Sequence, residues 1–172
     1  MNTTQAQLTG ERADLQDQLT KARFFLRNTV RGLTDEQAAR TPTASELCLG
    51  GLVKHVSRVE RRWTDFVVDG PSAMAMDENR YADHADSFRI LPGETLASIV
   101  AAYDEVAART DALLASLPDL DESQELPPAP WFEPGARWSA RRVFLHIAAE
   151  TAQHAGHADI IRETIDGQKS MG

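Results

Sequence analysis

The chain has 172 residues, 42% of them hydrophobic, and its 18 basic and 26 acidic side chains give a net charge of −8. This length accommodates one buried core, so we expect a single domain over residues 1–172. The acidic balance argues against nucleic acid and anionic membranes as partners, because both select basic surfaces.

The sequence carries no recognisable targeting or membrane segment. No run approaches the roughly 18 apolar residues of a membrane span, and the first residues lack the basic and apolar stretches of a signal peptide. The single cysteine, Cys48, excludes an internal disulfide. We therefore expect a soluble cytoplasmic protein that does not bind membranes.

The first third of the chain predicts one long helix and one short helix. Apolar residues recur at helical spacing from Leu8 to Val30, which predicts a helix from about residue 5 to 31. Gly32 is a suitable C-terminal cap. Thr34 and Gln37 form the pattern of a capping box, which predicts a short helix ending before Pro42.

Three further long helices follow in the same pattern. A second is predicted over about 48–68, a third over about 94–116, and the last begins after the N-cap residue Ser139 and ends at Gly167. The segments 70–93 and 118–137 are predicted as long connections, the latter pinned to the body by Trp131, Phe132 and Trp138. Four long helices with two long crossover loops predict an all-α four-helix bundle.

A polar stripe interrupts the apolar face of the last helix. His146, Glu150, His154 and His157 fall within about 80° of one another on that helix, on the side that carries its apolar residues. Burying a carboxylate and imidazoles is costly unless they pair or bind a metal. The stripe therefore predicts a metal site, and pairing of Glu150 with histidines or an arginine is the structural alternative.

The second helix offers a further metal ligand. His55 borders its apolar face, one turn from both Leu52 and Val59. Bundle proteins build metal sites from side chains on facing helices, so His55 is a candidate partner for the stripe. His84 lies between acidic residues and is predicted to be a solvated loop residue. Cys48 is predicted to be buried rather than nucleophilic, because no base is evident beside it.

These motifs resemble the DinB superfamily of metal-binding four-helix proteins, over nearly the whole chain. The resemblance is carried by the segments 45–55 in the second helix and 145–159 in the last, with Trp138 to Arg141 leading into it. It is strongest for the actinobacterial branch that includes mycothiol S-transferases and mycothiol-dependent maleylpyruvate isomerase. In the family, one histidine of the second helix joins a His-x-x-x-His pair late in the chain. Here Glu150 stands in place of the first histidine, as in the isomerase.

The resemblance implies His55, Glu150 and His154 as the metal ligands, with His157 and His146 as nearby supporting residues. Two imidazoles and a carboxylate suit zinc, with nickel as the less favoured ion. The resemblance further implies mycothiol as the thiol co-substrate, a second, electrophilic substrate, and a homodimer.

An open coordination position on such an ion predicts a thiol S-transferase, because a metal-bound thiol is held as the nucleophilic thiolate. A mycothiol-dependent isomerase is a close variant, and Arg80, Arg89 and Arg137 could supply its cationic pocket. A metal-dependent hydrolase is the competing enzyme class, with His157 or His146 relaying protons. A non-enzymatic, metal-binding stress protein is the remaining alternative.

Overall fold

A computed structural model describes residues 8–74 and 78–170, without the side chains of 78–82. Its helices are α1 (Glu11–Asn28), α2 (Asp35–Ala38), α3 (Leu49–Asp69), α4 (Glu78–Ser87), α5 (Leu96–Ser116) and α6 (Ala140–Asp166). Strands β1 (Ser123–Glu125) and β2 (Arg137–Ser139) form one antiparallel pair. The predicted all-α fold with four long helices is confirmed. None of the described helices combines the length and apolar character needed to cross a membrane.

Contacts between the helices fix their directions. Arg141 pairs with Glu11 near the start of α6, and Arg162 donates to the carbonyl of Thr29 near its end, so α1 and α6 run parallel. Lys54 pairs with Glu94 before the start of α5, and α3 and α5 likewise run parallel. The chain between two parallel helices must return along the bundle, which requires a long crossover from α3 to α5.

Local sequence signals set the helix ends. Thr34 and Gln37 form the predicted capping box of α2, and the Ser139 hydroxyl accepts a hydrogen bond from the Arg142 amide at the start of α6. Gly167, at φ 79°, ends α6 where the sequence predicts. At α1 the prediction is partly wrong, because Gly10, at φ 57°, precedes the first turn; residues 5–7 lie outside the described part of the chain.

A polar layer divides the core of the bundle into two apolar clusters. One cluster gathers around Leu26, Leu52 and Ala158, and the other around Leu19, Phe66 and Phe144. Between them the buried Arg23 of α1 pairs with the buried Glu60 of α3 at 2.5 Å and with Asp111 of α5 at 2.7 Å. This triad links three of the four long helices through charge-assisted hydrogen bonds.

The first crossover differs from the prediction. The segment 70–93, predicted as a connection without regular structure, contains a 3₁₀ turn over Gly70–Met74 and the ten-residue helix α4. Helix α4 is short and strongly polar, so packing against α3 rather than local propensity accounts for the helix. Met76 of that segment lies outside the described residues.

The second crossover carries the β1–β2 pair, which the sequence analysis did not predict. Its pairing sets Gln124 opposite Trp138 and leads directly into α6. Phe132 and Trp138 pack against the core as predicted. The expectation for Trp131 is wrong, because its side chain is 69% exposed.

Candidate metal centre

Three side chains predicted as ligands converge between α3 and α6. One ligand atom from each of His55, Glu150 and His154 lies within 4.8 Å of the others. His154 Nε2 is 3.5 Å from Glu150 Oε2, and the rings of His55 and His154 have centroids 5.0 Å apart. The site therefore brings together two imidazoles and one carboxylate from facing helices.

The two helices place these groups for simple geometric reasons. Glu150 and His154 lie one turn apart on α6, so their side chains project from the same face. That face packs on α3, where buried Leu52 and Val56 flank His55. Packing of α6 on α3 thus places His55 next to the carboxylate of Glu150 and the imidazole of His154, which are already neighbours on α6.

A serine from α4 fixes the tautomer of His55. The Ser87 hydroxyl donates its only hydrogen to the carbonyl of His84 at 2.6 Å and lies 2.9 Å from His55 Nδ1. Ser87 can therefore only accept from His55, which places the imidazole proton on Nδ1. Nε2 of His55 then keeps its lone pair, which is the state that a metal ligand needs.

Burial keeps the imidazoles of the site neutral. Burial, with smaller contributions from the charges of His154, His84 and Arg58, lowers the pKa of His55 from 6.5 to about 3. Burial also lowers the pKa of His154, against the opposing effect of the Glu150 carboxylate. At neutral pH both residues offer a lone pair instead of a positive charge.

Two other histidines of the stripe lie beside the three candidate ligands. His146 Nε2 is 4.0 Å from Glu150 Oε1, and its ring packs at a steep angle against the stacked indoles of Trp63 and Trp138, with centroids 4.8 and 5.1 Å away. Desolvation by these neighbours lowers the pKa of His146. This histidine is therefore held next to the carboxylate on the side away from His154.

His157 lies at the solvent edge of the site. Its side chain is exposed, and its Nδ1 is 3.4 Å from Nδ1 of His154. It thus contacts the nitrogen of His154 that faces away from Glu150. Neither His146 nor His157 contributes an atom to the three-residue group described above.

The sequence analysis missed two residues that hold His55. Phe88 stacks on the His55 ring with centroids 3.9 Å apart, and Ser87 makes the hydrogen bond described above. Both follow from the unpredicted position of α4, and no local sequence signal identifies them. His84 is exposed, as predicted, but lies on α4 rather than in a loop, with its ring centroid 5.6 Å from that of His55.

The remaining candidates lie apart from the three ligands. Cys48 is buried, as predicted, and its sulfur accepts from the Gly51 amide at the start of α3. Arg89 pairs with Asp86, and Arg137 donates to Ser123, so neither lines the cavity beside His55. The side chain of Arg80 lies outside the described residues.

The donor set fits a divalent cation. Neutral imidazole nitrogens together with one carboxylate oxygen are borderline-soft ligands of the kind that zinc prefers. Three protein ligands would leave at least one coordination position for another molecule. A cavity of about 310 Å³ lined by His55 and Ser87 gives such a molecule room.

Comparison with known proteins places the chain in a family. The model of the family described as Mycothiol-S-transferase matches residues 14–167, which include all three candidate ligands and nearly all the described helices. The chain belongs to the mycothiol S-transferase family. Membership in this family supports a transferase that uses a small-molecule thiol related to mycothiol.

A solved structure supports the fold independently of sequence. The crystal structure of the conserved protein of a locus from Enterococcus faecalis covers 94% of this chain and 100% of its own, with a TM-score of 0.65 and 13% sequence identity. At that identity the similarity shows the fold alone. No curated protein matches the sequence.

Proposed function

We propose that this mycothiol S-transferase family member is a metal-dependent thiol transferase, with His55, Glu150 and His154 as ligands of a divalent ion. The observation that carries the proposal is the convergence of the three ligand atoms within 4.8 Å, with both imidazoles neutral. Zinc is the proposed ion and mycothiol the proposed thiol. The second substrate is a small electrophile.

A divalent ion in this site would supply an open position at which a thiol is held as thiolate. In the transfer, the thiol gives its proton to solvent water and its sulfur forms a bond to the electrophilic carbon. The leaving group departs with the electron pair of its own bond to that carbon, so charge and atoms balance. The cavity beside His55, which lines it while Glu150 and His154 do not, is the proposed approach for both substrates.

Residues around the ligands support this chemistry by orienting them. Ser87 holds the His55 proton on Nδ1, and His146 lies beside Glu150 on the side of the two indoles. Supporting residues that fix ligand orientation commonly contribute 10- to 100-fold in metal affinity or activity, as an order of magnitude. His157, being exposed, is proposed to steady His154 at the solvent edge.

A single-domain protein over 1–172, a cytoplasmic location and a homodimer complete the proposal. The resemblance of the whole chain to DinB-like proteins supports all three. Size-exclusion chromatography with light scattering on the untagged chain measures the last of these, and a monomer at working concentration would remove the homodimer from the proposal.

The proposal is tested by metal content and thiol transfer in the same preparations. Untagged wild-type protein should contain about one divalent ion per chain and should transfer mycothiol to chlorodinitrobenzene. His154→Ala should lose the ion and lower the transfer rate by roughly 100-fold or more. His84→Ala is the matched control for metal content, since this exposed histidine lies near His55 but outside the ligand group. Full activity in metal-free His154→Ala protein would refute the metal-dependent mechanism.

The same assay separates the competing functions. A metal-dependent hydrolase would turn over its substrate without added thiol. A metal of purely structural use would unfold the protein on removal instead of only silencing it. Turnover that depends on both metal and thiol, in a protein that remains folded without metal, is the result expected here.

A further inference from the structure

The cavity beside His55 is lined by arginines of α3. Arg58, Arg61 and Arg62 line it, along with the acidic Asp65 and Asp83. A second cavity, of about 430 Å³, lies between α3 and α5 and is also lined by Arg58 and Arg61. These two arginines therefore belong to both cavities, and they lie one turn apart on α3.

Arg58 and Arg61 differ from the other cations of this region in their partners. Lys54 pairs with Glu94 at 2.7 Å, and Arg109 pairs with Asp65 at 3.4 Å. Arg58 donates a hydrogen bond to the backbone carbonyl of Asp83, at 2.7 Å. Within the described ranges 8–74 and 78–170, neither Arg58 nor Arg61 has a carboxylate oxygen within 4.0 Å.

Although Glu94 and Glu105 also line the second cavity, the two guanidinium groups have no carboxylate oxygen of the described residues within 4.0 Å, which is notable in a chain whose net charge is −8. Their nearness to the candidate metal centre follows from sequence position, because Arg58 is three residues after His55 on α3. Both arginines line the cavity that His55 also lines. An anion bound by Arg58 and Arg61 would therefore lie beside the ligand group.

We propose that Arg58 and Arg61 bind the carboxylate of an electrophilic substrate that carries one, and so select acidic electrophiles for attack at the adjacent metal centre. This inference deepens the proposed function and rests on it. Guanidinium groups suit the task because they present parallel N–H donors that match the two oxygens of a carboxylate. Arg58 is half-buried and Arg61 is exposed. An anion can therefore reach the pair from solvent and remain bound beside the half-buried Arg58.

The expected effect is selective for charge. An ion pair at a partly exposed site contributes modestly, and two together correspond to roughly a 10-fold change in the catalytic efficiency for an acidic electrophile. The neutral analogue of that electrophile gains nothing from the arginines. Its efficiency should therefore change by less than about 2-fold.

The experiment compares two electrophiles that differ only in charge. The full-length, zinc-loaded chain is assayed with mycothiol and either para-chloro-meta-nitrobenzoate or the corresponding benzamide. The double variant Arg58→Gln/Arg61→Gln should lose about 10-fold in kcat/KM with the benzoate and retain its efficiency with the benzamide. The matched control is Arg31→Gln/Arg40→Gln, which removes two exposed arginines that line neither cavity. Equal losses with both electrophiles, or none with the benzoate, would overturn the proposal.

A binding measurement separates this proposal from the proposed function. Calorimetry with meta-nitrobenzoate, which lacks a leaving group, reports on the anion site whether or not transfer occurs. If transfer is absent in the wild type but the double variant alone loses nitrobenzoate binding, the transferase proposal fails and the anion site remains. Binding that is unchanged in the double variant refutes the anion site itself. Arg61→Gln alone, at an exposed position, provides the same test should the double variant not fold.

Discussion

At the scale of single residues, Ser87 connects a helix outside the four-helix bundle to the candidate metal centre. Its side chain is 2% exposed, and its two hydrogen bonds run to His55 and to the carbonyl of His84. A hydroxyl has only one hydrogen, and Ser87 donates it to the carbonyl of His84. In its bond with His55, the Ser87 oxygen must therefore be the acceptor. The direction of one proton thus determines which nitrogen of His55 can bind a metal.

Replacing Ser87 by alanine tests this role. Without the hydroxyl, His55 loses the acceptor that keeps its proton on Nδ1, so Ser87→Ala should weaken zinc binding by about 10- to 100-fold. Competition with a chelator of known affinity measures the change. Ser116→Ala, which removes an exposed hydroxyl at the end of α5, should leave the affinity unchanged. Equal zinc affinity in the wild type and Ser87→Ala would show that the serine does not orient the ligand.

At the scale of elements, the contact between α3 and the chain after α4 requires a glycine. A Cβ on Gly51 would overlap the carbonyl group of Phe88 and lie 2.8 Å from the amide nitrogen of Arg89. The same backbone accepts hydrogen bonds from the Cys48 thiol and from Lys54 Nζ, at 3.6 and 3.2 Å. The close approach places Ser87 and Phe88 against His55.

Gly51→Ala should therefore disturb both stability and the metal centre. Overlap with backbone cannot be relieved by a side-chain rotation, so we expect a loss of about 1–3 kcal/mol in the free energy of unfolding. Zinc affinity should fall in parallel as the crossover moves away from His55. Chemical denaturation and chelator competition measure the two effects.

Gly156→Ala is the control for the glycine substitution. A Cβ on Gly156, in the helix α6, would meet no atom within 4 Å. Alanine at this position should stabilise the helix by about 0.5–1 kcal/mol. If both alanine variants were stabilised, the close approach at Gly51 would have no energetic consequence and this account of the crossover would be wrong.

At the scale of the whole molecule, the polar layer of Arg23, Glu60 and Asp111 links three long helices between the two apolar clusters of the core. Glu60 is 0% exposed and pairs with Arg23, which is 2% exposed, while Asp111 is partly exposed. Burial of such charges is costly unless every member is paired. The layer joins α1, α3 and α5 at the level where Glu150 and Thr151 interrupt the apolar residues of α6.

Removing one charge of this layer should destabilise the whole molecule. Glu60→Gln leaves the buried Arg23 without its main partner, and we expect a loss of about 3 kcal/mol in the free energy of unfolding. Asp65→Asn on the same helix breaks an exposed pair with Arg109 and should cost less than about 1 kcal/mol. Urea denaturation measures both changes. Similar losses in the two variants would mean that burial does not increase the contribution of the Arg23–Glu60 pair to stability.

The sequence alone determined the parts of this protein that depend on near neighbours in the chain. The helical repeat of apolar residues predicts the four long helices, and the caps at Thr34, Ser139 and Gly167 set ends that the structure confirms. The one-turn spacing of Glu150 and His154 likewise follows from helix geometry. Each signal operates within a few residues, so it can be read without knowing how the chain folds back.

The tertiary structure decided what surrounds His55. Helix α4 is short and strongly polar, and its position depends on the close approach to Gly51, which no local pattern reveals. The partners Ser87 and Phe88 lie about thirty residues from His55 in sequence and reach it only through that packing. For the same reason, the sequence pointed to arginines in the crossovers, whereas the arginines that line the cavity lie on α3 itself. Contacts between distant segments depend on shape and burial, which form only when the bundle does.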